Sequence, residues 1–258
     1  MATTRLLITG GTGLLGRAVR RAWQGQTDPL VLSSVDGDLL VPGTAHRLVS
    51  RLAPDVVLHL AWSSNRTVGY RSSPDNDRWR VATLELAQAS QEVGAHLVAT
   101  GTVADLAPDD DDPYGLAKRR LLDELRDSLA AGSATWNRPH VVVDVQARRP
   151  GLVRTALEAR DQGRSAVLRS PESRHDFVHV DDVGRALALI ALSIPGGVVD
   201  VGSGRARESG ELVERLGVDW TAQPGHVAPE PDSPPANIDW LTKEGWRPHE
   251  TERFFGDE

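Results

Sequence analysis

The sequence predicts an α/β fold, a mostly parallel sheet covered by helices on both faces, from three observations. Short β-rich runs alternate with stretches of helical periodicity along the chain. The first apolar run, residues 5–8, leads at once into Thr9-Gly10-Gly11-Thr12-Gly13-Leu14-Leu15-Gly16 and then a helix-like stretch, the order strand, glycine turn, helix. At 258 residues the chain is long enough to bury one substantial core with a small lobe, and short for two independent domains.

The strands expected in order are 5–9, 30–33, 56–60, 96–99 and 140–145, with short late pieces around Val167 and over 198–201. The helices expected between them are 15–23, 46–52, 77–93, 114–131, 152–162, 181–192 and 209–216. In the first turn Gly10 suits a tight bend, Gly13 allows close backbone approach to a pyrophosphate, and Gly16 allows close packing of helix on strand. The helix N-terminus then faces the phosphates, which makes this a dinucleotide-binding entry. Four aspartates at 109–112, followed by Pro113, read as a solvated loop before a helix. Five prolines within 224–235 read as an extended surface segment over the substrate cleft. Asp181 and Asp182 read as N-caps of the helical run they precede. His59 and His179 read as strand histidines bonded to backbone, and no second ligand at metal spacing accompanies either, so no metal site is expected.

A net charge of −7, with no basic stripe carrying interleaved aromatics, argues against nucleic acid as a partner. The absence of cysteine excludes disulfides, thiol nucleophiles and thiolate metal sites. No apolar run approaches about 18 residues and no secretory pattern precedes the first strand, so the expectation is a soluble cytoplasmic protein without a membrane partner.

Tyr114-Gly115-Leu116-Ala117-Lys118 opens a second helix-like stretch and sets a phenol and an ammonium one helical turn apart, on one face. A lysine held near a tyrosine stabilises phenolate, and with an oxidised nicotinamide nearby it would draw the phenol pKa down from about 10 towards the working pH. Such a tyrosine passes a proton to or from an alcohol oxygen.

With these motifs in place the chain resembles an extended short-chain dehydrogenase/reductase of the nucleotide-sugar epimerase, dehydratase and ketoreductase group. The likeness runs nearly end to end. Residues 54–61 (PDVVLHLA) resemble the family's fourth strand, 176–183 (DFVHVDDV) the segment before its late helix, 201–204 (VGSG) its late glycine turn, and 241–248 its leucine, glycine, tryptophan, proline tail. The implied fold is a Rossmann-type doubly wound parallel sheet with a small C-terminal substrate lobe. Residues 1–148 would form the dinucleotide-binding core, about 176–200 would complete it, and about 149–175 with 201–258 would form the lobe. Relatives imply a homodimer made by packing the stretches 77–93 and 114–131 of two subunits.

The resemblance implies a catalytic Thr102, at the end of the strand 96–99, that polarises a substrate carbonyl beside Tyr114, with Lys118 holding the nicotinamide ribose. Thr100 is the competing hydroxyl. Dehydratases of the group carry an aspartate and a glutamate directly after this hydroxyl; Val103 and Ala104 stand here, which argues against elimination of water. The expected cofactor residues are Gly10, Thr12, Gly13, Leu14, Leu15, Gly16, Arg17, Ser33, Ser34, Asp38, Leu39, Leu60, Ala61, Trp62 and Thr100, together with Tyr114 and Lys118. Ser33 and Ser34, with Arg17 as a charge partner, fit NADP(H) better than NAD(H), although Asp36 could reach back as the missing acid. Substrate contacts are expected from Trp62, Thr102, Gln146, Arg174 and His175. Departures from the family pattern gather there: His175 where an arginine is usual, Gln146 for asparagine, Val143 for arginine, Trp79 for asparagine, and a short interval from Thr102 to Tyr114.

The implied activity is NADPH-dependent reduction of a keto group on a nucleotide-linked deoxysugar. A 4-epimerase retaining NAD would use the same residues, and a redox-silent nucleotide-sensing or scaffold protein could share the fold.

Overall fold

The computed structural model describes residues 4–62, 69–147, 151–225 and 231–257. In chain order the first elements are β1 (Leu6–Thr9), α1 (Leu14–Ala22), β2 (Leu30–Leu32), α2 (Thr44–Leu52), β3 (Val56–His59), α3 (Asp75–Glu92), β4 (His96–Thr100), α4 (Pro113–Glu124), α5 (Arg126–Ala130) and β5 (Ala134–Pro139). There follow β6 (Val141–Val143), α6 (Leu152–Asp161), β7 (Ala166–Leu168), β8 (Arg174–His179), α7 (Val180–Ser193) and β9 (Gly197–Val201). The last are β10 (Ala206–Glu208), α8 (Ser209–Arg215), β11 (Trp220–Ala222), α9 (Asp239–Lys243) and α10 (His249–Phe255). Short 3-10 turns cover Tyr70–Ser72 and Val103–Asp105.

The chain divides into two compact units, residues 1–139 with 184–199, and residues 140–183 with 200–258. The first holds a six-stranded sheet in the order β2-β1-β3-β4-β5-β9. The pairs β1·β2, β1·β3, β3·β4 and β4·β5 are all parallel. Parallel strands need crossovers, and α1, α2, α3 and α4 supply them on both faces. On one face Leu7, Val57, Leu97 and Trp136 pack with Leu48, Val49, Leu86 and Leu121 of α2, α3 and α4. On the other, α1 approaches α7 closely at Gly184, where a Cβ would lie 2.6 Å from the Ala18 carbonyl carbon. Each fully buried leucine or valine contributes roughly 1.5–3 kcal/mol.

The second unit has a three-stranded sheet in the order β10-β8-β6 and a two-stranded one, β11-β7. Its apolar clusters centre on Ala156, Leu168 and Val213, and on Val143, Phe177, Leu212 and Phe255. Two buried carboxylates bind its segments. Asp176 accepts from the Ser203 amide (2.6 Å), the Ser203 hydroxyl (2.7 Å), the Gly204 amide (2.8 Å) and the Ala236 amide (2.9 Å). Asp182 accepts from the amides of Glu250 and Thr251 and from the Thr251 hydroxyl.

Several expectations are corrected. The strand after β4 in the main sheet is β5 over 134–139; residues 141–143 instead pair with Phe177, Val178 and His179 of β8. The first unit runs to 139 before resuming at 184, and residues 176–183 lie with the second unit. Asp182 accepts from the first amides of α10. The 114–131 stretch is two helices, α4 and α5.

Candidate active site

The glycine turn works by what it lacks. Gly10 adopts φ +69°, and a Cβ there would stand 2.7 Å from the Ala61 amide nitrogen and 2.8 Å from the Leu60 carbonyl carbon. A Cβ on Gly16 would meet the Gly11 Cα at 2.4 Å, so α1 sits directly on the turn. The Gly13 amide donates to the Gly10 carbonyl (2.9 Å), and Gly13 precedes the first residue of α1, Leu14. This backbone cradle at the N-terminus of a nine-residue helix fits a dinucleotide pyrophosphate. Arg17 is exposed and donates to the Thr12 carbonyl at the rim of the turn.

At the end of β2 the Asp36 carboxylate accepts from both the Ser33 amide (2.8 Å) and the Ser33 hydroxyl (2.9 Å), bonds that hold its carboxyl below the usual range. The strand end expected to offer two hydroxyls and no acid thus carries a carboxylate bound to Ser33, with Ser34 exposed in the turn. Asp38 is turned onto the Leu40 amide (2.9 Å), and Leu39 is a core residue packed with Leu48 and Val49.

Leu60 follows β3 and donates its amide to the Thr9 carbonyl (3.1 Å), next to the place where Gly10 meets Ala61. Trp62, next along, is fixed by its indole N–H on Asn76 Oδ1 (2.9 Å) and stacks with Trp79. Its face covers the Lys118 ammonium at 3.3 Å from the ring centroid, and its ring meets Tyr114 edge to face at 6.2 Å. Tyr70 meets Tyr114 in the same way at 5.1 Å. Lys118 is buried, and its Nζ donates to the Thr100 carbonyl (2.7 Å).

The Thr102 side chain lies close enough to the Tyr114 hydroxyl to favour its ionised form. The Thr100 hydroxyl accepts from Asn137 Nδ2 (3.1 Å). The structure thus brings Thr102, Tyr114, Lys118 and Trp62 together within the first unit, and occupies Thr100 with β5.

Electrostatics differ from the expectation of a lowered phenol. The atoms crowded around the Tyr114 hydroxyl, followed by Tyr70, push its pKa up, and the nearby Thr102 side chain opposes them. Burial holds the Lys118 ammonium well below the usual lysine range, with the Asp105 charge opposing. The lysine is spent on the Trp62 face and the Thr100 carbonyl, and its Nζ stands 5.9 Å from the Tyr114 ring centroid. His59 is likewise bonded to side chains rather than backbone: Thr9 Oγ1 lies 2.7 Å from its Nδ1 and Thr83 Oγ1 3.0 Å from its Nε2. Burial, then Lys118, lowers its pKa to about 3, so the ring is neutral.

The remaining expected residues lie in the second unit. Gln146 is exposed in the turn after β6, its amide on Asp144 Oδ1. Arg174 is exposed and reaches Glu208 (3.4 Å) and the Ala206 carbonyl (2.8 Å). His175 Nδ1 lies 3.2 Å from the Ser233 hydroxyl, with its ring edge-on to Phe177. The strand beside β4 ends in Asn137, Arg138 and Pro139, and Val143 lies on β6 in the second unit. Of the proline-rich segment, residues 226–230 lie outside the described residues. Among the described residues there is no group of three or more metal-ligating side chains, and no helix is long and apolar enough to cross a membrane.

Sequence reading missed Asp105, Tyr70, Asn137 and Arg138. The signal for Asp105 was present: Thr102-Val103-Ala104-Asp105 has the spacing of a capping box, and the structure forms one.

A search of curated protein sequences found no match. Among solved structures the chain is similar to dTDP-4-dehydrorhamnose reductase from Yersinia enterocolitica, with a TM-score of 0.80, 18% identity, and coverage of 98% of this chain and 99% of that one. It is similar to the reductase of the same name from Bacillus anthracis, in complex with NADP (TM-score 0.75, 15% identity, 100% and 99% covered). It is also similar to UDP-glucose 4-epimerase from Thermus thermophilus, in complex with NAD (TM-score 0.74, 21% identity, 95% and 94% covered). Residues 6–202 match the family described as NAD dependent epimerase/dehydratase. That match spans most of the chain, including the glycine turn and the Tyr114–Lys118 helix, so the protein belongs to the NAD dependent epimerase/dehydratase family and is an NAD(P)-dependent enzyme of the extended short-chain dehydrogenase/reductase type.

Proposed function

We propose that the protein reduces a keto group on a nucleotide-linked deoxysugar, with NADPH as the hydride source. The observation that carries this is the grouping of side chains: the Thr102 hydroxyl beside the Tyr114 phenol, with Lys118 one helical turn on and its ammonium under the Trp62 face. The cradle of Gly10, Gly13 and Gly16 would hold the pyrophosphate, with Leu60, Ala61 and Trp62 beside it. A reduced nicotinamide, when bound, supplies the hydride. Thr102 then donates a hydrogen bond to the carbonyl oxygen, which polarises it for attack. Tyr114 delivers the proton to the oxygen as negative charge builds there; its raised pKa keeps it protonated and ready to donate at neutral pH. Lys118, released from the Trp62 face, would hold the nicotinamide ribose. The solved structures similar in fold include reductases of a dTDP-linked keto sugar, which supports the substrate class.

Val103 and Ala104 lack the acid and base that water elimination needs, which leaves hydride transfer as the chemistry. A second reading, a 4-epimerase retaining NAD, is favoured by one observation, the Asp36 carboxylate at the end of β2, whose charge opposes a 2′-phosphate. Substrate contacts from Gln146, Arg174 and His175, and a homodimer built on α3 and α4, are part of the same proposal.

The test is the loss of reduced-nicotinamide absorbance when NADPH is mixed with dTDP-4-dehydrorhamnose, alongside calorimetric titration of NADPH and NADH. Tyr114→Phe is expected to lower kcat by about 10³-fold while NADPH affinity stays within a few-fold. Net turnover unaffected by this change would overturn the reading, and tightly held NAD with no net oxidation would select the epimerase.

A further inference from the structure

Asp105 is fully buried, three residues after Thr102, and both of its carboxylate oxygens are engaged. Its Oδ1 accepts from Arg138 Nε at 2.8 Å, and its Oδ2 from Trp136 Nε1 at 3.0 Å and from the Thr102 amide at 3.2 Å. Its own amide donates to the Thr102 carbonyl at 3.0 Å, and the Thr102 hydroxyl accepts from the Ala104 amide at 3.3 Å. Thr102 is therefore held at its amide, its carbonyl and its hydroxyl by a turn whose anchor is the Asp105 carboxylate. The anchor is in turn fixed to β5 by a buried ion pair with Arg138 and by the indole of Trp136. Even the backbone is fitted to this arrangement. A Cβ on Gly101 would stand 2.2 Å from Trp136 Nε1, so only glycine lets the indole reach the carboxylate.

We propose that Asp105 is a positioning residue, which, through the Thr102 backbone and its anchor on Arg138 and Trp136, fixes the Thr102 hydroxyl against Tyr114. This rests on the reductase reading of that hydroxyl pair. Asp105 is not itself an acid or base in the reaction, because it is sealed from solvent and both oxygens are engaged. A hydroxyl that drifts by about an ångström can cost on the order of 10²-fold in rate, and a threonine on an unanchored turn would drift. Asp105 also reaches the site through its charge: it opposes ionisation of Tyr114 and favours the charged form of Lys118. The other ionisable groups around Tyr114 are Tyr70 and Arg71, from the turn before α3, and Lys118 on its own helix.

The experiment is a double-mutant cycle of Asp105→Asn and Thr102→Ala, read with dTDP-4-dehydrorhamnose and NADPH. Asp105→Asn is expected to lower kcat about 10²-fold with the KM for NADPH within about threefold, and to cost less than about twofold further in the Thr102→Ala background. In the single variant the alkaline limb of the kcat profile moves to lower pH, since a charge opposing Tyr114 ionisation is gone. Equal losses in both backgrounds would overturn the proposal, because a merely structural carboxylate harms the enzyme whether or not the hydroxyl is present. Should Asp105→Asn fail to fold, Trp136→Phe keeps the ion pair and removes one neutral donor; a severalfold fall in kcat, again absent with Thr102→Ala, is then the expected result. A second readout needs no substrate: the Thr102 amide and Tyr114 ring-carbon NMR shifts move together in the Asp105 or Trp136 variant. Unmoved Tyr114 signals sink the inference, whereas signals that move in the variant, with a wild-type protein that never oxidises NADPH, sink only the reductase reading.

Discussion

Strands β1 and β5 lie in one sheet and are both buried along their whole length, yet they are held by different forces. In β1 the residues are Leu6, Leu7, Ile8 and Thr9, and the packing partners are whatever apolar surface the helices present. In β5 the buried set is Ala134, Thr135, Trp136, Asn137, Arg138 and Pro139, and four of these are placed by a specific polar partner. Thr135 meets His96 Nε2 at 2.8 Å, Trp136 and Arg138 meet Asp105, and Asn137 donates to the Ala99 carbonyl at 2.7 Å. Apolar burial is non-directional and tolerant; buried polar groups must find their partners or cost about 1–3 kcal/mol each. The contrast divides the site in two: a cofactor cradle shaped by missing side chains, and a catalytic turn shaped by donors and acceptors.

A pair of glycine substitutions would break this division most severely. Gly10→Ala sets a Cβ against the Ala61 and Leu60 backbone at a positive φ, where nothing can yield. Dinucleotide affinity should fall by about 10- to 100-fold in calorimetry. Gly101→Ala instead drives into the Trp136 indole, so unfolding free energy should drop by about 1–3 kcal/mol and kcat should fall while NADPH affinity is retained. If both variants lose cofactor binding alike, the cradle and the catalytic turn are not separable.

The one polar side chain of β1 gives a sharper test. Thr9 bonds His59, whose pKa of about 3 in the folded protein lies below its ordinary 6.5. Between those values the unfolded chain binds a proton that the folded one does not. The stabilisation is therefore complete above about pH 6.5 and is lost as the pH falls towards 3, by about 2–3 kcal/mol between pH 7 and 4.5. Urea titrations at the two pH values measure it, and His59→Gln should remove that part of the dependence.

The smallest effect belongs to the rim of the cradle. Asp36→Asn should shift preference towards NADPH over NADH by about five- to tenfold, read as the ratio of dissociation constants at low salt. An unchanged ratio would mean that Ser33 and Arg17, not the carboxylate, govern the choice.

The same contrast explains what could be read from the chain beforehand. The apolar runs of β1, β3 and β4, the glycine turn and the Tyr114–Lys118 spacing are local patterns, and the alternating fold and the family follow from them. Strand β5 was invisible because Asn137 and Arg138 look like loop residues until Ala99, Thr100 and Asp105, distant along the chain, are set beside them. The Tyr114 pKa direction was missed for a related reason: four-residue spacing fixes a shared helix face, but cannot reveal that Trp62 and the Thr100 carbonyl have already engaged the lysine.

The family match ends at residue 202, and the buried carboxylate of Asp176 takes hold just beyond it, through the amides of Ser203, Gly204 and, far downstream, Ala236. Main-chain nitrogen is common to every residue, and only proline's lacks the hydrogen to donate. An attachment made largely through it asks little of the side chain at Ala236, while Ser203, whose hydroxyl also donates, and Gly202, where a Cβ would meet Asp176, stay bound to their identities.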